Sequence, residues 1–177
     1  SPWAIPEPEV MTHTKTLAAG SRILDLGAGI GRHSLAMARL GHDVVALDAA
    51  QASIDCIADA AQKETLRIET CLSSMADLPF ADGSFDHVLS WNVIYHGDET
   101  VVRRSFSEVA RVLRPGGTFI EIGKTDLRDA ADHPNIRYSV FDLLAEIDRD
   151  PALVGRRLGA LLDRVDSGEL TAIPIRT

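Results

Sequence analysis

The sequence predicts an α/β fold in which helices cover both faces of a doubly wound, mainly parallel sheet, a three-layer α/β/α domain. Short apolar runs alternate with helix-like stretches along the chain, glycine-bearing turns punctuate them, and no repeat, low-complexity tract or interdomain linker interrupts the series. The 177 residues, 45% of them hydrophobic, suffice for a single core between two helical layers, so residues 1–177 are expected to form one domain.

A helix is expected over residues 8–17 and a strand over 22–26, followed by a glycine-rich turn and a second helix over 32–40. The next strand, 43–47, runs into an acid, and a helix over 51–62 returns the chain to a strand at 67–71. Asp82-Gly83 signals a turn, after which the apolar run at 85–90 suits a buried parallel strand. A helix over 99–113 and a Pro115-Gly116-Gly117 turn lead to a strand at 118–122. Another strand is expected at 136–141. Leu153, Val154, Leu158, Leu161, Leu162 and Val165 share one face of a helix over 151–167, which Gly168 ends. Pro174 restricts the final apolar stretch, 170–176, to an edge strand or a loose tail.

The chemistry concentrates between Arg22 and Ala50. Asp25 is followed by Gly27, Ala28, Gly29 and Gly31, a turn whose backbone can approach a ligand where a Cβ would collide, and the next helix aims its first amides there. Asp48, about 20 residues beyond the first glycine, stands where an acid at a strand end accepts both hydroxyls of a ribose. This is the pattern of a nucleoside-cofactor site. A dinucleotide site would carry a third glycine where this chain has Arg32.

The formal net charge of −8 and the scattered basic residues argue against a nucleic-acid partner. Arg103, Arg104, Arg111 and Arg114 fall near one helix but are interrupted by Glu99 and Glu108, so an ordinary solvated face is expected there. No apolar run is long enough to span a bilayer, and no basic segment followed by an apolar one opens the chain, so a cytoplasmic protein with no membrane partner is expected. Cys56 and Cys71 lack metal-ligand spacing and read as buried small apolar groups, and no metal site is expected. His33 and His42 are expected on helix surfaces.

Gly27-x-Gly29-x-Gly31 preceded by Asp25 resembles the first motif of the class I S-adenosylmethionine-dependent methyltransferases, which have a Rossmann-like sheet. The run from Ala76 to Ser90 resembles that family's adenine loop and fourth strand. Arg111-Val112-Leu113-Arg114-Pro115-Gly116-Gly117-Thr118-Phe119-Ile120-Glu121 resembles its helix end, turn and fifth strand. Together the pieces cover residues 1–120. The resemblance implies S-adenosylmethionine as cofactor, held by Asp25, Gly27, Ala28, Gly29, Gly31, Asp48, Ala49, Ser74, Met75, Asn92 and Val93. Ser74 stands where many members carry an acid for the adenine amino group; a hydroxyl can still accept from that amine. Asn92 and His96, after the fourth strand, are the catalytic candidates: both could orient donor and acceptor, and His96 could take a proton near neutral pH, or simply cap the next helix. A small-molecule methyl acceptor is implied. Trp3, Ile5 and Pro6 lie in a region that often lids the cofactor in this family; a frayed terminus is the alternative.

Residues 121–177 resemble instead the end of an enoylreductase module of modular polyketide synthases, a medium-chain reductase. The two resemblances imply a chimera, designed or recombined, joined near Gly116 to Glu121, with residues 135–141 forming a strand parallel to 118–122. Lys124 and Asp126 would then lie in a solvated loop. Three functional readings follow: a methyltransferase acting on a small molecule, a Rossmann chimera without catalytic activity, and an NADPH-binding oxidoreductase fragment.

Overall fold

A computed structural model describes residues 4–94, 99–122 and 139–141. The elements are α1 (Pro8–Thr14), β1 (Arg22–Leu26), α2 (Arg32–Arg39), β2 (Asp43–Asp48), α3 (Gln51–Glu64), β3 (Ile68–Leu72), β4 (Phe85–Trp91), α4 (Glu99–Val112), β5 (Leu113–Ile122) and β6 (Ser139–Phe141). The expected elements at 151–167 and 170–176 lie outside the described residues.

The strands form one six-stranded sheet in the order β3-β2-β1-β4-β5-β6, with β1 to β5 parallel and β6 antiparallel to β5. The parallel strands are joined by crossovers, and chain direction across the sheet reverses between β1 and β4, which opens a crevice at their carboxyl ends. The expectation of a parallel sixth strand is overturned. Phe119 pairs with Phe141 and Glu121 with Ser139, an antiparallel register; residues 135–138 lie outside the described residues. A strand returning beside β5 needs only a reversing connection, whereas a parallel one needs a crossover for which residues 124–134 are short.

Alternation along the strands divides the core. Leu24, Leu26, Val45, Leu47, Val88 and Phe119 face α4, meeting Val109 and Val112, while Ile23, Val44, Leu89, Trp91 and Ile120 face Val10 of α1 and Met37 of α2. The fifth strand begins earlier than expected: Leu113 already pairs with Phe85, and the Pro115-Gly116-Gly117 segment loops out before Thr118 pairs with His87. A Cβ on Gly117 would lie 2.6 Å from the Asp86 carbonyl oxygen, so this close return of the chain requires glycine.

The expected surface positions of His33 and His42 are corrected, since both side chains are buried. Segment 5–7 covers the outer side of α2 at His33, whose Nε2 accepts a hydrogen bond from the Glu7 amide at 3.2 Å. Cys56 is exposed rather than buried, while Cys71 is half-buried and packs against the core. Helix α3 turns Ile54, Ile57 and Ala61 inward, which leaves Cys56 on the opposite side.

Candidate cofactor site

The first strand delivers Asp25 to the buried side of the sheet, paired with Ala46 and Leu89 across the register. Its carboxylate accepts the Ser34 hydroxyl from the first turn of α2. Helix α2 has no capping side chain of its own, Gly31 being the residue before its first turn, so Asp25 reaches in from below to serve the amino end of the helix. Burial pushes the Asp25 carboxyl up to about 6, against the lowering effect of the Ser34 hydrogen bonds. Asp25 thus shapes the turn from beneath.

The turn that follows is tied down amide by amide. Gly27 and Ala28 both donate to the Leu47 carbonyl, at 2.8 and 2.9 Å, Gly29 donates to Asp48 Oδ2 at 2.8 Å, and Gly31 donates to the Ala28 carbonyl at 2.9 Å. The glycines differ in what surrounds them. A Cβ on Gly27 would lie 2.4 Å from a Val93 methyl and one on Gly31 2.6 Å from Ile57 Cγ1, so these two permit close packing within the protein. A Cβ on Gly29 would meet nothing within 4 Å: the turn is open to the crevice at that point.

Asp48 ends β2 at the lip of this opening, half-buried, with Oδ2 on the Gly29 amide and Oδ1 on the Ala50 amide at 2.9 Å. A carboxylate has about four acceptor positions, so two remain for a ligand. Ala49 beside it is exposed. Ser74 and Met75 follow β3, the neighbour of β2. The Ser74 side chain is exposed and its hydroxyl accepts from the Ala76 amide at 3.2 Å, while Met75 leans on the core. Across the crevice Asn92 leaves β4 in the left-handed region, φ +56, a conformation that asparagine tolerates better than most residues. Val93 then packs on Gly27. His96 lies outside the described residues, as do Trp3, Lys124 and Asp126.

Sequence reasoning missed three supports of this site. Ser34 is the partner of Asp25, nine residues away across the turn. Arg32 pairs with Glu7 at 3.2 Å, donates to the Ile5 carbonyl at 3.2 Å and lies over the Trp91 ring, so the chain before α1 is fastened beside the turn although Ile5 itself is exposed. Arg111, expected on a solvated face, is engaged with the loop of residues 78–82. The i, i+3 spacing of Glu108 and Arg111 was the available signal for the last. Among the described residues no His, Cys, Asp or Glu group is arranged to hold a metal ion, and no helix is long and apolar enough to cross a membrane.

A family model described as "Methyltransferase domain" matches residues 23–117, more than half of the chain, from within β1 to the β5 turn. The chain belongs to the methyltransferase domain family. S-adenosylmethionine is the methyl donor of this family, and the turn, Asp48 and the β4 end of this methyltransferase domain all lie within the matched residues. The domain is similar to the methyltransferase GfsG of Streptomyces halstedii, 32% identical over 165 residues that cover 88% of this chain and 58% of that protein. It is also similar, 44% identical over 71 residues, to the spectinabilin polyketide synthase system protein NorB of Streptomyces orinoci, covering 38% of this chain and 3% of that one. Among solved structures it resembles the PH0226 protein of Pyrococcus horikoshii OT3, with a TM-score of 0.62, 29% identity and coverage of 70% of this chain and 57% of that one. The methyltransferase domain therefore spans less than two thirds of the length of each of these relatives.

Proposed function

We propose that the protein transfers a methyl group from S-adenosylmethionine to a small molecule. What carries the reading is the Asp48 carboxylate on the Gly29 amide beside the open face of the turn. Its remaining acceptor positions suit the two ribose hydroxyls of a nucleoside. Ala28, Gly29 and Ala49 would line the cofactor, with Ser74 and the Met75 amide on the adenine, and Asn92 and Val93 at the methyl-donating end. Asp25, Gly27 and Gly31 act as positioning residues for the turn.

The turn is poorly suited to a phosphate-bearing cofactor. The amides of Gly27, Ala28, Gly29 and Gly31 are engaged within the protein, and the carboxylates of Asp25 and Asp48 occupy the places an anion would seek at the amino end of α2. Arg32, held by Glu7 and Trp91, fills the position of the third dinucleotide glycine. These observations weigh against the NADPH-binding reading.

When bound, the cofactor supplies a sulfonium-activated methyl group. The protein's contribution is alignment, with a base needed only where the acceptor must lose a proton. Asn92 is proposed to orient donor and acceptor and His96 to receive such a proton. The acceptor is proposed to be a small molecule, in keeping with the acidic chain, and the whole is proposed to fold as one domain.

An enoylreductase origin for residues 121–177 has no support from these relatives, since the 71-residue similarity to a polyketide synthase system protein is not a similarity to an enoylreductase. Against it stand antiparallel β6 and the similarity to GfsG, which covers 88% of the chain and so runs into that segment. A methyltransferase throughout is the better supported account. Calorimetry with S-adenosylmethionine, S-adenosylhomocysteine and NADPH side by side tests these readings. The first two are expected to bind and NADPH not, and Asp48→Ala should weaken binding by about 1–3 kcal/mol through lost hydrogen bonds to a charged acceptor. Equal binding of NADPH, or an indifferent Asp48→Ala, would count against the proposal.

A further inference from the structure

Arg111, at the end of α4, spends every N–H of its guanidinium. Nη1 donates to the Phe80 carbonyl at 2.7 Å and to Asp82 Oδ1 at 2.9 Å, Nη2 to the Leu78 carbonyl and to Glu108 Oε2, both at 2.8 Å, and Nε to Glu108 Oε1 at 3.0 Å. Glu108 in turn accepts the Leu78 amide at 2.8 Å, and the Arg111 carbonyl accepts the Gly83 amide at 2.9 Å. These contacts hold Arg111 strongly in its charged form and Glu108 below the usual carboxylate range. Two residues of one helix turn therefore grip the loop at Leu78, Phe80, Asp82 and Gly83.

The loop's other end carries Ser74 and Met75. On the β3 side the Ser73 amide donates to the Asp48 carbonyl at 3.1 Å, and beyond it the hydrogen bonds of the segment are local: the Asp77 amide to the Ser74 carbonyl at 3.1 Å, the Ala76 amide to the Ser74 hydroxyl at 3.2 Å, and the Ser73 hydroxyl to the Asp77 carbonyl at 2.8 Å. Such short side-chain turns are weak by themselves. The segment is thus held at Ser73 on one side and, on the other, at Leu78, whose amide and carbonyl are both held by the Glu108–Arg111 pair.

We propose that Arg111, braced by Glu108, is a positioning residue for the base of the cofactor: by fixing Leu78 and Phe80 it sets the direction of the Ser74 hydroxyl and the Met75 amide, and so the preference for adenine over a base of opposite hydrogen-bond polarity. The inference rests on the S-adenosylmethionine reading above. An adenine offers an amino donor and a ring-nitrogen acceptor to that pair, whereas hypoxanthine offers a carbonyl acceptor and a ring N–H, so a rigid pair discriminates and a loose one does not. Lysine at position 111 supplies a point charge and three donors without the planar fork.

The test compares the affinities of S-adenosylhomocysteine and S-inosylhomocysteine by calorimetry, below the melting temperature of each variant. The wild type is expected to prefer the adenine ligand. In Arg111→Ala and Arg111→Lys the preference should fall by about tenfold, roughly the worth of one well-placed hydrogen bond. Asp48→Ala should weaken both ligands alike and leave the preference unchanged, because the ribose is common to them. Should Arg111→Ala fail to fold, Glu108→Gln, which keeps the side-chain shape, is expected to lower the preference as well. A folded Arg111→Ala or Glu108→Gln with wild-type preference would overturn the inference, as would a wild type that binds both ligands equally. A wild type that binds neither would overturn the underlying reading too.

Discussion

At Gly29 and Gly31, two residues apart, the same side-chain absence serves different ends, and substitution separates them. Valine at Gly29 meets open space within the protein, so beyond about 1–2 kcal/mol for a left-handed backbone the fold should survive while cofactor binding is lost. Valine at Gly31 drives into Ile57 and should lower the melting temperature before any ligand is added. Circular dichroism melts and calorimetry on the two variants check the contrast; a Gly29→Val that unfolds would make the turn a folding element first. Ser34→Ala removes the hydroxyl partner of a buried carboxyl and is expected to cost about 1–3 kcal/mol in denaturant unfolding. The glycine turn and its neighbour Asp48 were readable in the sequence as a structural unit because their spacing is local. Ser34 and Arg111 were not, since their partners are defined only once strands and helices pack.

Among the elements, α2 departs most from what its residues suggest. Short amphipathic helices usually show a wet face, but residues 33–37 are all buried, because the segment before α1 crosses the outer side and Glu7 binds both Arg32 and His33. Burial, with Arg32 adjacent, pushes His33 down to about 3. Its neutral ring is also what accepts the Glu7 amide. Unfolded, His33 takes up a proton as the pH falls below 6.5 while the folded state resists to about 3, so its contribution destabilises the fold progressively across that window. His13 and His87, also lowered by burial, act in the same sense. Asp25, raised from 3.8 to about 6, opposes them: its folded form holds a proton longer, and stability from that source falls as the pH rises through the interval. Melting temperature should therefore drop on acidification from pH 7 to 5. His33→Gln, which keeps an acceptor and removes the titration, should flatten the drop; an unchanged slope would remove His33 from the account.

For the whole molecule, the order of strands and helices through β5 followed from alternation and turn signals, and β1 was placed to the residue. The direction of β6 did not follow, because the residues of a strand specify its faces but not whether it runs with or against its neighbour. The cofactor site as proposed lies between Asp25 and Val93, so a chain ending after Ile122 is expected to bind S-adenosylhomocysteine about as well as the full chain. Its bared β5 edge should make it associate with rising concentration, which light scattering would register. Loss of binding in that chain would place part of the site in the later residues. Beyond the β1–β4 pairing, Gly27 after β1 and Val93 after β4 pack so closely that no room is left for a Cβ at position 27. Mutational drift at the two positions is therefore interdependent: enlarging residue 27 is tolerated only in a background where residue 93 has already shrunk, and gene shuffling with a break between them will yield viable offspring chiefly when both parents share the pair.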